Sequence, residues 1–258
     1  MYLRIHALGC AVVVFALLSG CATRSPNEPL AQTSAFVTAL SDTAQVKRKV
    51  LLLPPDVNLF ELSAGGQRER VPEWSAKARQ HIDRALRDAL HASSRFEIVD
   101  TPTLNEAEQS ALDEHVALYA RVGSEAFAKT NTIDAAWMHK RSEFDYTLGS
   151  GLDFLKDRSN ADIAILSVAS DTYRSAGNKA LTALVMVAGA AAGVAIIPGS
   201  VPAFMSVGLV NMRSGQIEWL NFSSQGTMTD MREADGAKSL VSATFKPLLQ
   251  PAAIAKPQ

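Results

Sequence analysis

Apolar positions recur along this chain with two periods, and their alternation lays out most of the fold. Val50-Leu51-Leu52-Leu53 is a continuous apolar run, the pattern of a short strand buried on both faces. Pro54-Pro55 ends it, because proline has no N–H to give to a ladder. Residues 58–62 predict a second short strand, closed by Gly65-Gly66. Pro72 stands where a helix begins. Trp74, Ala78, Ile82, Leu86 and Leu90 then follow at helical spacing with one buried face. Asp83 with Arg87, and Arg84 with Asp88, are i,i+4 pairs for its wet face. Residues 95–99 alternate as a strand, and residues 101–129 read as a long, mostly helical segment. Residues 131–151 show no clear period, although they hold Trp137, His139, Phe144 and Tyr146. Residues 152–158 predict a short helix and residues 162–170 a central strand. Residues 203–212 and 216–224 form two strands around the turn signal Ser214-Gly215. Asp230, with Glu233 three residues on, has the form of a helix cap. The helix after it turns Ala237, Leu240, Val241, Phe245 and Leu248 inward, with Gly236 weakening its first turn. The whole predicts an α+β fold: a single mixed β-sheet flanked by helices, with an apolar Ala/Gly-rich helical insertion.

That insertion breaks the pattern. No ionisable side chain occurs between Lys179 and Arg213. Its densest part, residues 180–197, would make a helix roughly 27 Å long. Gly189 and Gly193 form a G-x-x-x-G spacing, which allows close helix approach in membranes. Pro198-Gly199 ends the run. Three readings follow: a buried or semi-buried helix in the domain or a helical hairpin capping it, a surface packed against identical subunits, or a segment inserted in a membrane. Ala and Gly are only weakly hydrophobic, which argues against a true transmembrane helix. An exposed patch this apolar is unusual for a monomer.

The beginning of the chain reads as an address. Arg4 precedes an apolar stretch over residues 7–18, then small residues Ser19 and Gly20. This is the layout of a secretory signal peptide over residues 1–20, too short for a confident membrane-spanning helix. Residues 21–45, with Pro26, Pro29 and many polar residues, read as a tether. Its flexible part reaches roughly 25–30 Å. Ala35, Phe36, Val37 and Leu40 suit a short docking helix within it. Residues 46–250 are then one α/β periplasmic domain and residues 251–258 a flexible tail.

Composition agrees and excludes some functions. The 258 residues are 47% hydrophobic and 20% charged, the balance of a folded domain. A formal net charge of −1 argues against a nucleic-acid partner, which needs a basic surface. Loss of the signal would remove Arg4 and no acid, moving the charge one unit further negative. Of the two cysteines, Cys10 lies in the signal, which leaves Cys21 without a disulfide partner.

The search for chemistry is largely negative. His81, His91, His115 and His139 are isolated, without the i,i+4 pairing of a helical metal site, and read as solvated. Asp113, Glu114 and His115 are consecutive and point apart on a helix. Asp153 and Asp157 share a face that is expected to be wet. No nucleophile elbow, phosphate loop or dinucleotide fingerprint occurs, and Gly149-Ser150-Gly151 reads as a flexible lead into a helix. Lys47-Arg48-Lys49 suits a solvated lead into the first strand, or contact with anionic lipid. Trp74 and Trp219 read as core. The turns Ala64-Gly65-Gly66 and Ser175-Ala176-Gly177 are places of sharp backbone reversal, suited to loop-mediated contacts. No catalytic residue, cofactor or metal ligand is expected.

Two resemblances add to this. Leu18-Ser19-Gly20-Cys21 resembles the lipobox of bacterial lipoproteins at all four positions. It implies diacylglyceryl transfer to the Cys21 sulfur, cleavage before Cys21, and acylation of the new amino group. The alternative is an ordinary secreted protein with Cys21 unmodified. Ala22, rather than aspartate, implies sorting to the outer membrane. Second, the strand before Pro54-Pro55, the runs Phe96-Glu97-Ile98-Val99 and Ala161-Asp162-Ile163-Ala164-Ile165, and the Arg213-Ser214-Gly215 hairpin form an ordered set. That order is similar to the α/β domain of curli-secretion-channel lipoproteins and the amino-terminal domain of the Tol translocation protein. Leu53-Pro54-Pro55-Asp56, with Gly65-Gly66 near Glu73-Trp74, also looks like uncharacterised proteobacterial lipoproteins. The sequence departs from the curli pattern after Ser170, where channel hairpins alternate and this chain is uniformly apolar.

The expectation is an outer-membrane-anchored periplasmic lipoprotein that acts non-enzymatically, as an envelope assembly or accessory component. Its partners would be the membrane, through the lipid, and envelope proteins or further copies of itself. The alternatives are an oligomeric subunit of a secretion or export structure that uses residues 180–197 as interface or membrane contact, and a hydrolase without a recognisable motif.

Overall fold

The computed structural model describes residues 31–33, 36, 47–130, 135–141, 143–194, 203–225 and 229–249. Cys21, the signal, most of the tether, residues 195–197 of the apolar segment and the tail lie outside them.

One mixed sheet organises the described chain, as expected. Its strands are β1 (Ala31–Gln32), β2 (Arg48–Leu52), β3 (Asp56–Leu62), β4 (Arg68–Arg70), β5 (Phe96–Val99), β6 (Ile163–Arg174), β7 (Ala203–Asn211) and β8 (Ile217–Gln225). The order is β1-β8-β7-β6-β2-β5, with β3 pairing both β6 and β4. The helices are α1 (Pro72–His91), α2 (Glu106–Thr130), α3 (Asp153–Ser159), α4 (Ala176–Ala191) and α5 (Ala234–Leu249). A 3-10 helix covers Ala135–Arg141.

β6 is the spine, and it outruns the expected residues 162–170 by four positions. Its first part pairs in parallel with β2 at Val50↔Ile163, and its second with β3 at Asp56↔Val168. Six positions on one side match five on the other, so β2 and β3 are one strand path with a single residue looped out at Pro54-Pro55. The missing proline N–H groups force that break. On the other side β6 pairs antiparallel with β7, and β7 with β8.

The pleat sends alternate β6 side chains to two cores. Ile163, Ile165 and Ala169 join Val50, Leu52, Met205, Val207, Leu209 and Trp219 beneath α1 and α5. Ala164 and Leu166 join Leu51, Leu53, Val210, Leu220, Leu112 and Tyr119 beneath α2 and α3. The result is three layers, helices on both faces of the sheet. Phe36 is buried in the first core, so the docking expected within the tether is met there. Ala35, Val37 and Leu40 lie outside the described residues.

Two boundaries differ from expectation for local reasons. α2 begins at Glu106 because Asn105 and Glu108 form a reciprocal capping box: each side chain accepts the other's backbone N–H at 2.9 Å. Asp230 does not cap α5. Its carboxylate accepts from the backbone N–H and the guanidinium of Arg232, and the helix begins at Ala234. Gly236 is required by close approach, since a Cβ there would lie 2.0 Å from the Asp230 carbonyl oxygen.

Candidate functional site

The largest departure from a sealed fold is α4. Residues 180–197 were open to three readings, and the buried one is corrected. Along α4 the large apolar side chains Leu181, Leu184, Val185, Met186 and Val187 are exposed, Leu184 by 65% and Val187 by 69%. Gly189 is the one residue of this helix that is buried. A fully buried side chain of this kind gains about 1.5–3 kcal/mol over an exposed one. Nothing within the described chain collects that gain.

The base of α4 is built firmly. Ser175 caps the helix, its Oγ accepting from the Asn178 N–H at 3.1 Å. The Ser175 N–H donates to the Leu62 carbonyl at 3.0 Å, and Asn178 Nδ2 donates to the Ser63 carbonyl at 2.9 Å. A Cβ on Gly177 would sit 3.4 Å from that of Ala64. The two small-residue turns singled out in the sequence therefore meet, one seating the other. At the far end the Gly193 N–H bonds to the Ala190 carbonyl, and the Val194 N–H to that of Gly189 at 2.8 Å. With Gly193 at φ 74° this is a Schellman motif. Gly193 thus serves as a cap. It is not the second half of a helix-packing G-x-x-x-G, which corrects that reading. No described helix is long and apolar enough to cross a membrane.

A polar cluster lies on the neighbouring part of β6. Asp171 is buried, and desolvation raises its carboxyl above the ordinary range. Burial also pushes the Tyr173 phenol strongly up. Tyr173 Oη accepts from the Met231 N–H at 3.0 Å. Arg232 lies over the Tyr173 ring at 3.9 Å and over Trp74 at 4.7 Å, while donating to Asp230 at 2.7 Å. That guanidinium holds the Asp230 carboxyl below its ordinary range. Tyr173, Arg232 and Trp74 tie the turn around Met231 to β6 and α1, while Asp171 Oδ1 accepts from the Thr172 N–H on its own strand. Trp74 is half-buried here, whereas Trp219 is core, packed against Phe245.

The remaining sequence candidates do not converge. His115 Nδ1 lies 2.8 Å from the Ala111 carbonyl and Asp113 accepts from Gln109, so the 113–115 trio is spent separately. Asp153 and Asp157 are exposed. His81 departs from the solvated expectation: its Nε2 is buried without a hydrogen-bond partner among the described residues. Arg48 also departs from a solvated strand lead, because its guanidinium turns inward over Phe36 at 5.5 Å, with Glu218 at 3.9 Å. Gly149 and Gly151 have positive φ, and Gly215 touches Gly149 so closely that a Cβ would meet its carbonyl oxygen at 1.8 Å. Among the described residues no group of three or more His, Cys, Asp or Glu is placed to hold a metal ion. A cleft of about 380 Å³ opens beside the Pro54-Pro55 break, lined by Asp56, Arg79, Gln109 and Asp113. Its Asp56 and Asp113 carboxylates already accept from Asn58 and Gln109. A smaller exposed apolar group, Trp137 and Met138, sits on the 3-10 helix, with Lys129 Nζ 4.4 Å above the Trp137 ring.

No protein-family model and no curated protein matches the chain. Among solved structures it is similar to the PelC dodecamer from Paraburkholderia phytofirmans, at 11% identity, covering 79% of this chain and 88% of that one with TM-score 0.32. It is also similar to the lipoprotein GNA1162 from Neisseria meningitidis, at 11% identity, 80% and 99% coverage and TM-score 0.29. A third is the LpoB C-terminal domain from Salmonella enterica, at 11% identity, 76% and 96% coverage and TM-score 0.24. These likenesses are too low to bear on function.

Proposed function

We propose that the protein is an accessory or assembly component of the bacterial envelope. It is held on the periplasmic face of the outer membrane through lipidated Cys21, and it works by contact rather than by catalysis. The observation that carries this reading is α4: a firmly seated, capped helix presents Leu181, Leu184, Val185, Met186 and Val187 outward. A surface of that kind is a contact element. The complete lipobox at Cys21 supports the anchoring. One acyl chain binds a membrane marginally, and two or more bind stably. The alternative, an oligomeric subunit of an export structure, draws on the same exposed helix.

The test is made in a Gram-negative host. Wild-type protein is expected to incorporate labelled palmitate and fractionate with the outer membrane. Cys21→Ser is expected to take up no label. A photo-crosslinking residue at position 137 is expected to trap discrete envelope proteins. Absence of label in the wild type, with all of the protein in the soluble periplasm, contradicts the reading.

A further inference from the structure

We infer that α4 is a lipid-embedding arm, seated in the leaflet to which Cys21 is tethered. This rests on the anchored reading above and names the occupant of its exposed helix.

Four observations carry it. First, the exposed apolar side chains do not form a stripe. At roughly 100° per residue, Leu181, Leu184, Val185, Met186 and Val187 point all round the helix axis. A second copy of the chain covers one face and leaves the others in water. An apolar solvent covers all of them, and helices that are apolar all round belong in such surroundings. Second, the ends suit a medium that offers no hydrogen bonds. Ser175 takes up the Asn178 and Lys179 N–H groups at the start, and the Schellman motif takes up the Gly189 and Ala190 carbonyls at the finish.

Third, the sheet points the anchor at the arm. Along β8 the chain passes Leu220 before Gln225, and Gln225 pairs with Ala203 beside the end of β6 from which α4 departs. β1 is antiparallel to β8, so Ala31 is the end of β1 that lies on that side. Cys21 precedes Ala31 by ten residues, which span at most about 35 Å when extended. The level of Gln225 is only about 17 Å from that of Leu220 along the sheet. Fourth, the base of the arm leans basic. The β3–β4 turn region, the end of β6 and the lead into α4 carry Arg68, Arg70, Arg174 and Lys179 against Glu61, Glu69 and the buried Asp171, an excess of one positive charge. The adjacent Arg232–Asp230 and Lys77–Glu233 pairs are each neutral. A cationic base under an apolar arm matches anionic headgroups above acyl chains. At about 24 Å, α4 is shorter than the roughly 30 Å hydrocarbon core and longer than half of it, so it enters from one side at a tilt and does not span the bilayer.

The experiment uses the mature chain with Cys21→Ser, so that no acyl chain contributes. Probe membranes are phosphatidylethanolamine vesicles with and without phosphatidylglycerol. The protein is expected to co-sediment with both, more strongly with the anionic set. Leu184→Glu with Val187→Glu is expected to lower the partition coefficient at least tenfold with an unchanged circular-dichroism melt. Leu184→Trp is expected to shift its emission to the blue only when vesicles are added. A protein that stays in the supernatant as a monomer overturns the proposal. So does a multimer whose Leu184→Trp emission is already blue in buffer, which assigns the arm to further copies. Either failure leaves palmitate incorporation at Cys21 untouched, so the anchored reading stands or falls separately.

Discussion

Tyr119 sets the closeness of the second core. Its Oη lies 2.9 Å from Ser206 Oγ, and its ring rests on the bare backbone of Gly208, where a Cβ would come within 2.5 Å. Gly208→Ala is therefore expected to destabilise the fold by about 1–3 kcal/mol, because neither ring nor strand has room to yield. Denaturant unfolding monitored by circular dichroism checks this. A change below about 0.5 kcal/mol would show that the α2 contact with β7 is looser than described. Asp171 offers a test with a sign. Burial raises its folded carboxyl pKa, so the ionised form costs stability above that pKa and the cost disappears as pH falls through it. Asp171→Asn keeps an acceptor for the Thr172 N–H, which Asp171 Oδ1 accepts at 2.6 Å. The variant is expected to melt higher than the wild type at pH 7, with the gap closing as pH is lowered. A gap that widens toward acid contradicts the assignment. Neither contact was legible in the sequence, because each depends on which residues the sheet register brings face to face. Asn105-x-x-Glu108 was legible as a capping box, and it would have placed the start of α2 five residues later than the apolar pattern did.

At the scale of elements, periodicity served wherever one face of a segment is buried. It located α1, β5, α3, the β7–β8 hairpin and α5, since burial of one face imposes a period on the sequence. It was weakest over residues 131–151, whose described part holds a 3-10 helix and the bridge Thr147↔Gln216, too little regular structure to leave a period. The apolar segment gave composition without period. That absence is itself explained by the exposed helix, whose sides have no inside to distinguish. The seating of α4 on the β3–β4 turn was visible only as two small-residue turns far apart in sequence. Asn178→Ala removes the bond to the Ser63 carbonyl. It is expected to raise amide exchange across α4 and its base by about fivefold, corresponding to roughly 1 kcal/mol, while the sheet core is unaffected. Uniform acceleration over β6 and β7 would show instead that α4 is part of the cooperative core.

For the whole molecule, the sheet has a polarity that matters more than any single cleft. One end carries the arm proposed for lipid, the turn beside it and the Ala31 end of β1. The mixed sheet with helices on both faces was readable from the sequence. The orientation proposed for it was not, because that proposal rests on β1 running antiparallel to β8. A lipid alone ties a domain to a bilayer by one point and leaves it free to turn. A second attachment at the same end, as proposed for α4, would fix which surfaces face the membrane and which face away from it. Trp137 and Met138 on the 3-10 helix then remain available for protein contacts. Cys10 and Cys21 are the chain's two cysteines, so the mature chain with Cys21→Ser accepts one engineered label site at a time. The most direct measurement places a nitroxide at Val187→Cys or, as control, at Gln109→Cys, and follows collision with oxygen and with a water-soluble nickel chelate. On adding anionic vesicles, oxygen accessibility is expected to rise and nickel accessibility to fall at position 187 alone. No change at position 187, with the protein correctly folded, would contradict the account.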